Sequence, residues 1–238
     1  MKYDYIVVGG GSAGAAVAGR LSEDPNCRVL LLEAGGSHKT LRISAPGMVA
    51  QLWRTKHDWA FYTTRQPGLN GRIHFWPRGR VLGGTSCLNY MIYIRGHKND
   101  YDAWRDLGNP GWGYDDVLPY FTRSERNERL GGPYHGQNGP LDVTDIEEPA
   151  PIMNQMIQGA SEVLDTPITS DFNTPDREGV GPYQMTIRDG RRCSTAMAYL
   201  DPAMMRENLT VVQHALVDNV IVEDKTAVGI RYSVEGEE

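Results

Sequence analysis

Ser12 stands in the run Gly9-Gly10-Gly11-Ser12-Ala13-Gly14, and that run supports two different chemistries. Read as Gly10-x-Ser12-x-Gly14, it has the spacing of the elbow that presents a hydrolase nucleophile. Such an elbow needs a sheet already built ahead of the serine, and one short strand-like run, Tyr3 to Val8, precedes Ser12. Read as Gly9-x-Gly11-x-x-Gly14, it has the spacing of a dinucleotide cradle. The first glycine permits the tight turn, the second lets a pyrophosphate approach the backbone, and the third lets helix meet strand. The helix that follows points its N-terminus at the anion. Glu33, at the end of the next apolar run, favours the second reading. An acidic side chain about 20 residues beyond the glycines is placed to bind a ribose hydroxyl pair. Alone, Glu33 would read as a solvated charge at a strand end.

The remaining reactive side chains do not form a site by spacing. His38, His57, His74, His97, His135 and His214 show no HExxH or comparable pattern, so no metal is expected, and each alone reads as a surface or satisfied core residue. Cys27, Cys87 and Cys193 are odd in number and lie in no CxxC pair, which predicts neither a disulfide framework nor a zinc site.

The elements that must position these residues follow from the apolar pattern. Tyr3 to Val8 is a strand, the small-residue stretch from Ala13 to Leu21 is a helix able to pack tightly on a sheet, and Arg28 to Glu33 is a second strand. This βαβ start places the glycines at the strand-to-helix turn. Residues 34–58 are broken by Gly35, Gly36, Pro46 and Gly47 and read as a long connection, and residues 59–79 read as two strands around the Asn70-Gly71 turn. Helical patterns are expected over 100–108, 114–128, 150–164 and 195–205, the last capped by Ser194, with short strands over 173–194 and strands over 209–238.

Gly79 to Gly96, "GRVLGGTSCLNYMIYIRG", combines a paired glycine with two hydroxyl residues before turning apolar. Glycines in that setting fit a backbone that comes close to something that is not protein. Taken alone, "CLNYMIYI" also reads as a core helix capped by "GGTS", because Leu88, Met91 and Ile92 recur at helical spacing. With Asp102 added, this segment resembles the first signature of the glucose-methanol-choline (GMC) flavoprotein oxidoreductases: Gly79-Arg80, Gly83-Gly84, two small hydroxyl residues, Leu88-Asn89, an aromatic at Tyr93, Gly96 and the acid. The N-terminal βαβ unit and the "GVGPYQMTIRDGRRCSTAMAYL" stretch extend the likeness over essentially the whole chain. It leans toward the branch of choline and aliphatic alcohol dehydrogenases.

The resemblance implies an α/β fold, α+β overall: a Rossmann-like FAD-binding domain of residues 1–145 and 190–238, with 146–189 the start of an inserted substrate domain. It implies that FAD lies along Gly9, Gly11, Ser12, Ala13, Gly14, Glu33, Ala34, Trp59, Arg80, Val81, Gly83, Gly84, Asn89, Tyr90, Met91 and Ile92, with Asn89 nearest the flavin and the backbone of Val217 against the adenine. Some relatives attach the flavin through a histidine in the signature; Leu88 and Asn89 stand here, so the FAD is expected to be noncovalent. The implied reaction is oxidation of an alcohol by hydride transfer to the flavin, with oxygen or a quinone- or dye-type carrier as electron acceptor. The family's catalytic histidine and second signature are expected C-terminal to this chain, which then reads as incomplete, with the C-terminal remainder as a second chain among the partners this allows. The rivals are a non-catalytic flavin-binding module, a pyridine-nucleotide-linked flavin reductase, which would want a second GxGxxG, and the serine hydrolase.

Composition narrows the setting. The net charge of −6 and the scattered lysines and arginines speak against a nucleic-acid surface. No run approaches the roughly 20 apolar residues of a membrane helix. The cysteine usage and the start of the chain predict a cytoplasmic protein, with attachment to the inner face of a membrane left open.

Overall fold

Val29–Glu33 is buried at every position, and a continuous apolar run of that kind suits the centre of a parallel sheet. The computed structural model describes residues 2–234 and divides them into two compact units, one of residues up to Tyr90 together with those from Gly190, the other Met91–Asp189. In the first unit β1 (Tyr5–Val8) is followed by α1 (Ser12–Leu21) and β2 (Val29–Glu33). β1 pairs with β2 in parallel from Tyr5 opposite Val29 to Val8 opposite Leu32. The connection beyond β2 holds the short helix α2 (Leu41–Ser44) and a 3-10 turn, Pro46–Gln51. β3 (Phe61–Tyr62) and β4 (Phe75–Trp76) form the expected hairpin, and Asn70 and Gly71 take φ of 55° and 71° in its loop.

The second unit opens with β5 (Ile92–Tyr93), followed by α3 (Lys98–Asp106) and α4 (Tyr114–Ser124). Both helices begin with an aspartate that accepts the cap residue's N–H: Asp100 from His97 at 2.7 Å and Asp116 from Gly113 at 3.0 Å. β6 (Glu125–Asn127) and β7 (Leu141–Val143) pair in parallel, α5 (Pro151–Leu164) follows, and β8 (Gln184–Met185) pairs with β5, with β9 (Ile187–Arg188) beyond it. The polar centre of this unit is a buried Glu125. It receives Arg95 Nη2 at 2.6 Å and His135 Nδ1 at 3.0 Å, and the other ring nitrogen of His135 lies 2.9 Å from Asp171.

The chain returns to the first unit at β10 (Arg191–Arg192) and makes a π-helical turn, Ala196–Leu200, that runs into Asp201–Ala203. Ser194 Oγ accepts from Met197 N at 3.3 Å, the cap expected for this segment. β11 (Leu209–Gln213) then joins β2 in parallel, giving the sheet order β1-β2-β11. β12 (Ala215–Glu223) and β13 (Thr226–Val234) form a hairpin whose turn residues, Asp224 and Lys225, both take positive φ. Residues 235–238, part of the strand expectation, lie outside the described residues.

α1 sits close to its neighbours because its residues are small: a Cβ on Gly19 would meet Tyr199 O at 3.1 Å. Ala15, Ala18, Leu31, Leu82, Ala196 and Leu200 fill the core between helix, sheet and π-turn. Arg206 Nη1 closes the last turn of α1 by donating to Gly19 O at 2.6 Å and Ser22 Oγ at 2.8 Å.

Two expectations change, one of them at the end of 114–128, where the helix stops at Ser124 and Glu125–Asn127 pairs as β6. "CLNYMIYI" is not a helix: a 3-10 turn, Gly84–Cys87, precedes the strand β5, and Met91 takes a φ of 61° that no helix interior admits. The apolar spacing was real but served burial alone, with Leu88 and Met91 buried and Ile92 exposed. Packing groups residues 91–145 with 146–189 in one unit.

Candidate cofactor-binding site

Gly9 leaves β1 at φ +88° and its N–H still donates to Leu32 O at 2.7 Å, so the chain turns sharply while tied to the sheet. Gly14 must be glycine for packing, since a Cβ there would lie 1.9 Å from Gly9 O. Gly11 is different. A Cβ on it would have Gly84 Cα, at 3.9 Å, as its nearest neighbour, so the position faces open space. Gly9 is open too, with no atom within 4 Å of a Cβ, but its positive φ belongs to the turn; Gly11, at φ −72°, is the open position where a side chain fits the backbone. Ser12 and Ala13 open α1 and are exposed, placing their N–H groups at its unsatisfied end.

Glu33 is 5 % exposed, and its carboxylate ties the cradle together. Oε2 accepts from Gly10 N at 2.7 Å and Oε1 from Gly35 N at 2.8 Å. Burial pushes this carboxyl up from its ordinary value, opposed by those two N–H groups and by the charge of Arg80. Each carboxylate oxygen keeps a second acceptor site beside its backbone donor.

The second glycine pair docks on the first. Gly83 N donates to Gly10 O at 2.7 Å, and a Cβ on Gly84 would come within 2.6 Å of Gly11 Cα. Gly83 and Gly84 take φ of 92° and 53°, conformations that side chains disfavour. The loop between Gly79 and Gly84 is equally tight, for a Cβ on Gly79 would meet Gly84 C at 2.2 Å.

These contacts surround a cavity of about 280 Å³ lined by Gly9, Gly11, Glu33, Ala34, Trp59 and Val217, among others. Six sequence-predicted residues thus meet in one place. Trp59 is held by stacking on Phe61, with ring centroids 5.8 Å apart, and by the Arg80 guanidinium 5.1 Å from its ring centre. Arg80 also lines an adjoining cavity with Ala34, Lys56, His57 and His214, a basic wall that the sequence did not reveal. Val81 is in the core with Ile43, Leu52, Cys87 and Leu88 and contributes backbone alone. Leu88 is buried there too, so no nucleophilic side chain stands where the family's histidine would. Asn89 and Tyr90 are exposed at the end of this loop, and Trp53 meets Tyr90 edge-on at 6.1 Å. Met91 and Ile92 begin the second unit, where Met91 O accepts from Thr186 N at 2.8 Å.

Two positioning residues were missed by the sequence. Asp58, buried, accepts from Arg54 N, Ala60 N and Arg78 N and so fixes the base of the hairpin that carries Trp59. Arg192 holds the loop ending at Asn89. Neither lies in a motif.

The histidines have local duties. His38 pairs with Asp201 at 3.1 Å, His97 caps α3, and His135 lies between Glu125 and Asp171. The hydrolase reading fails on geometry, because among the described residues no histidine or carboxylate hydrogen-bonds to Ser12 and the serine opens a helix at the edge strand of a three-stranded sheet. No cluster of metal-ligating side chains occurs among the described residues.

Comparison with known proteins agrees with this geometry. The chain is 43 % identical over 244 residues to the mitochondrial choline dehydrogenase of Mus musculus, covering 99 % of this chain and 41 % of that protein. It is 43 % identical to an alcohol dehydrogenase [acceptor] of Pseudomonas putida, covering 97 % and 42 %. Among solved structures, pyridoxine 4-oxidase from Mesorbium loti superposes with a TM-score of 0.94 at 38 % identity, over 99 % of this chain and 47 % of that one. An FAD-dependent oxidoreductase from Chaetomium thermophilum superposes with a TM-score of 0.90 at 30 % identity, over 98 % and 42 %. The chain therefore spans less than half the length of these relatives. The GMC oxidoreductase family model matches residues 3–238, and with the glycine cradle, the carboxylate behind it and the second glycine pair all in place, this chain belongs to the GMC oxidoreductase family.

Proposed function

We propose that this chain is the FAD-holding part of an oxidoreductase that oxidises the CH–OH group of a small-molecule alcohol. The observation that carries the reading is the open position at Gly11, bounded by Gly84 and facing the cavity lined by Glu33, Ala34, Trp59 and Val217. The N-terminus of α1 and the N–H groups at Gly11 to Ala13 take the pyrophosphate, Glu33 takes the ribose hydroxyls, and Ala34, Trp59 and the backbone of Val217 wall the adenine. Gly83, Gly84 and Asn89 extend the contact toward the flavin, with Arg80, Val81, Tyr90, Met91 and Ile92 beside it, and the FAD is held without a covalent bond. FAD supplies a hydride acceptor when bound.

The proton of the substrate hydroxyl needs a base, and the three histidines engaged at His38, His97 and His135 are committed to structural partners. We assign the base to the part of the relatives that lies beyond the matched residues, and leave the acceptor as oxygen or a quinone-type carrier. The test is anaerobic mixing of the alcohol with two holoproteins, this chain and a chain lengthened by the C-terminal segment. Bleaching of the flavin in the longer protein alone is expected. Rapid bleaching in the short chain would place the base among its own residues and overturn the division.

A further inference from the structure

Arg192 is 2 % exposed, and among the described residues no carboxylate forms an ion pair with it. Burial lowers the pKa of its guanidinium, and the neighbouring Cys87, whose thiol burial holds up at about 11, brings no charge to oppose this near neutral pH. Burying a cation without a counter-ion is costly, and because Nη2 has no hydrogen-bond partner among the described residues the compensation falls to Nη1 and Nε. The bonds here converge on one loop. Nη1 donates to Asn89 O at 2.7 Å, to Asn89 Oδ1 at 2.9 Å and to Ser86 O at 3.1 Å, while Nε donates to Ile43 O at 3.0 Å. Next to it in sequence, Ser194 starts the π-turn, and Thr195 N donates to Ser86 Oγ at 3.0 Å. Residues 86–89 are thus gripped from β10 and from the start of the π-turn.

We infer that Arg192 is a positioning residue for the cofactor, acting through Asn89. A guanidinium has donors only, so it accepts contact with the oxygen end of the Asn89 amide and not with the nitrogen end. This fixes which way the amide is flipped. The carbonyl and the amide oxygen of Asn89 are both held on one guanidinium nitrogen, so the end of the loop keeps a single arrangement. Asn89 itself is exposed at the loop's end, where a cofactor can meet it. The inference rests on the proposal that FAD lies along this loop, and it adds the residue that holds the loop in place. Lysine cannot replace arginine here, since a single ammonium cannot reach acceptors at Ile43, Ser86 and Asn89 with the geometry of the planar fork.

A double-mutant cycle on the holoprotein decides the matter, with FAD affinity followed by flavin fluorescence and the bound flavin's visible spectrum as a second readout. Arg192→Met is expected to weaken FAD binding roughly 10- to 100-fold, as loss of hydrogen bonds from a charged donor would. Asn89→Ala should weaken binding as well, and the double variant should bind no worse than the poorer single one, because both substitutions remove one interaction. Arg192→Lys should restore thermal stability but neither the affinity nor the spectrum. Additive losses in the cycle, or an Arg192→Met protein that binds FAD like the wild type, would overturn the inference. Should Arg192→Met fail to fold, the same cycle run with Arg192→Lys gives the same two outcomes. A wild-type protein that binds no FAD would defeat the cofactor reading itself, a result distinct from either.

Discussion

Gly11 and Gly14 sit three residues apart in one motif but answer to different constraints, and substitutions separate them. Gly11→Val places a side chain in open space, with its Cβ 3.9 Å from the nearest atom, so the fold should survive while FAD is lost. Gly14→Ala drives a Cβ to 1.9 Å from Gly9 O and should destabilise the unit by several kcal/mol, seen as a lower thermal midpoint with or without cofactor. Ser12→Ala removes at most a hydrogen bond of about 1 kcal/mol and should leave flavin content near normal. Esterase turnover abolished by Ser12→Ala would contradict this order. A second residue-scale prediction concerns His135. Burial alone would lower its pKa, but hydrogen bonds to Asp171 and Glu125, together with their charges, hold it up at about 9, above the ordinary 6.5. The stabilisation is therefore complete below about pH 6.5 and disappears as pH rises through 9, because the neutral ring has one N–H for two carboxylates. Arg95 also faces Glu125, with Nη2 2.6 Å from its carboxylate. Denaturation between pH 7 and 10 should show a fall in stability that His135→Gln removes; equal slopes in both proteins would refute the linkage. The glycines and Glu33 were legible in the sequence because each is required by a rule of spacing. Asp58, Arg192 and the His135 pair were not, because their partners lie up to 149 residues away and no local pattern records them.

Among the elements, the loop carrying Gly83 and Gly84 and the turn carrying Gly9 to Gly14 behave as one piece. Gly83 N to Gly10 O joins them, and Gly84 touches Gly11 so closely that Gly84→Ala must push the two apart. That variant should lose FAD affinity and stability together, unlike Gly11→Val, and comparing thermal midpoints with and without FAD checks it. The βαβ start and the hairpin around Asn70-Gly71 were readable from the chain because apolar period and turn chemistry agree there. The segment "CLNYMIYI" was not, since burial of Leu88 and Met91 copies a helical spacing while the left-handed Met91 breaks any helix. The parallel pairing of β11 with β2 was equally hidden: it joins Leu209 to Val29 across most of the sequence.

On the scale of the whole molecule, the chain exposes apolar side chains along its free strands. Ile6 and Val8 on β1, and Val220, Val222 and Val228 on the β12–β13 hairpin, are all more than a third exposed. An edge of that kind invites pairing with further chain. Relatives of more than twice this length fit that reading. The chain expressed alone should bind FAD more weakly than a version lengthened by the C-terminal segment. The central claim is that the cradle from Gly9 to Gly14, backed by Glu33 and capped by Gly83-Gly84, holds FAD. The most direct measurement is the ratio of FAD to protein after gel filtration, taken on the wild-type protein and on Gly11→Val at equal thermal stability, with acid precipitation to release the flavin. The account predicts FAD in the wild-type fraction, yellow supernatant after acid, and little flavin in Gly11→Val. A stably folded Gly11→Val protein that retains the wild-type amount of FAD would contradict it.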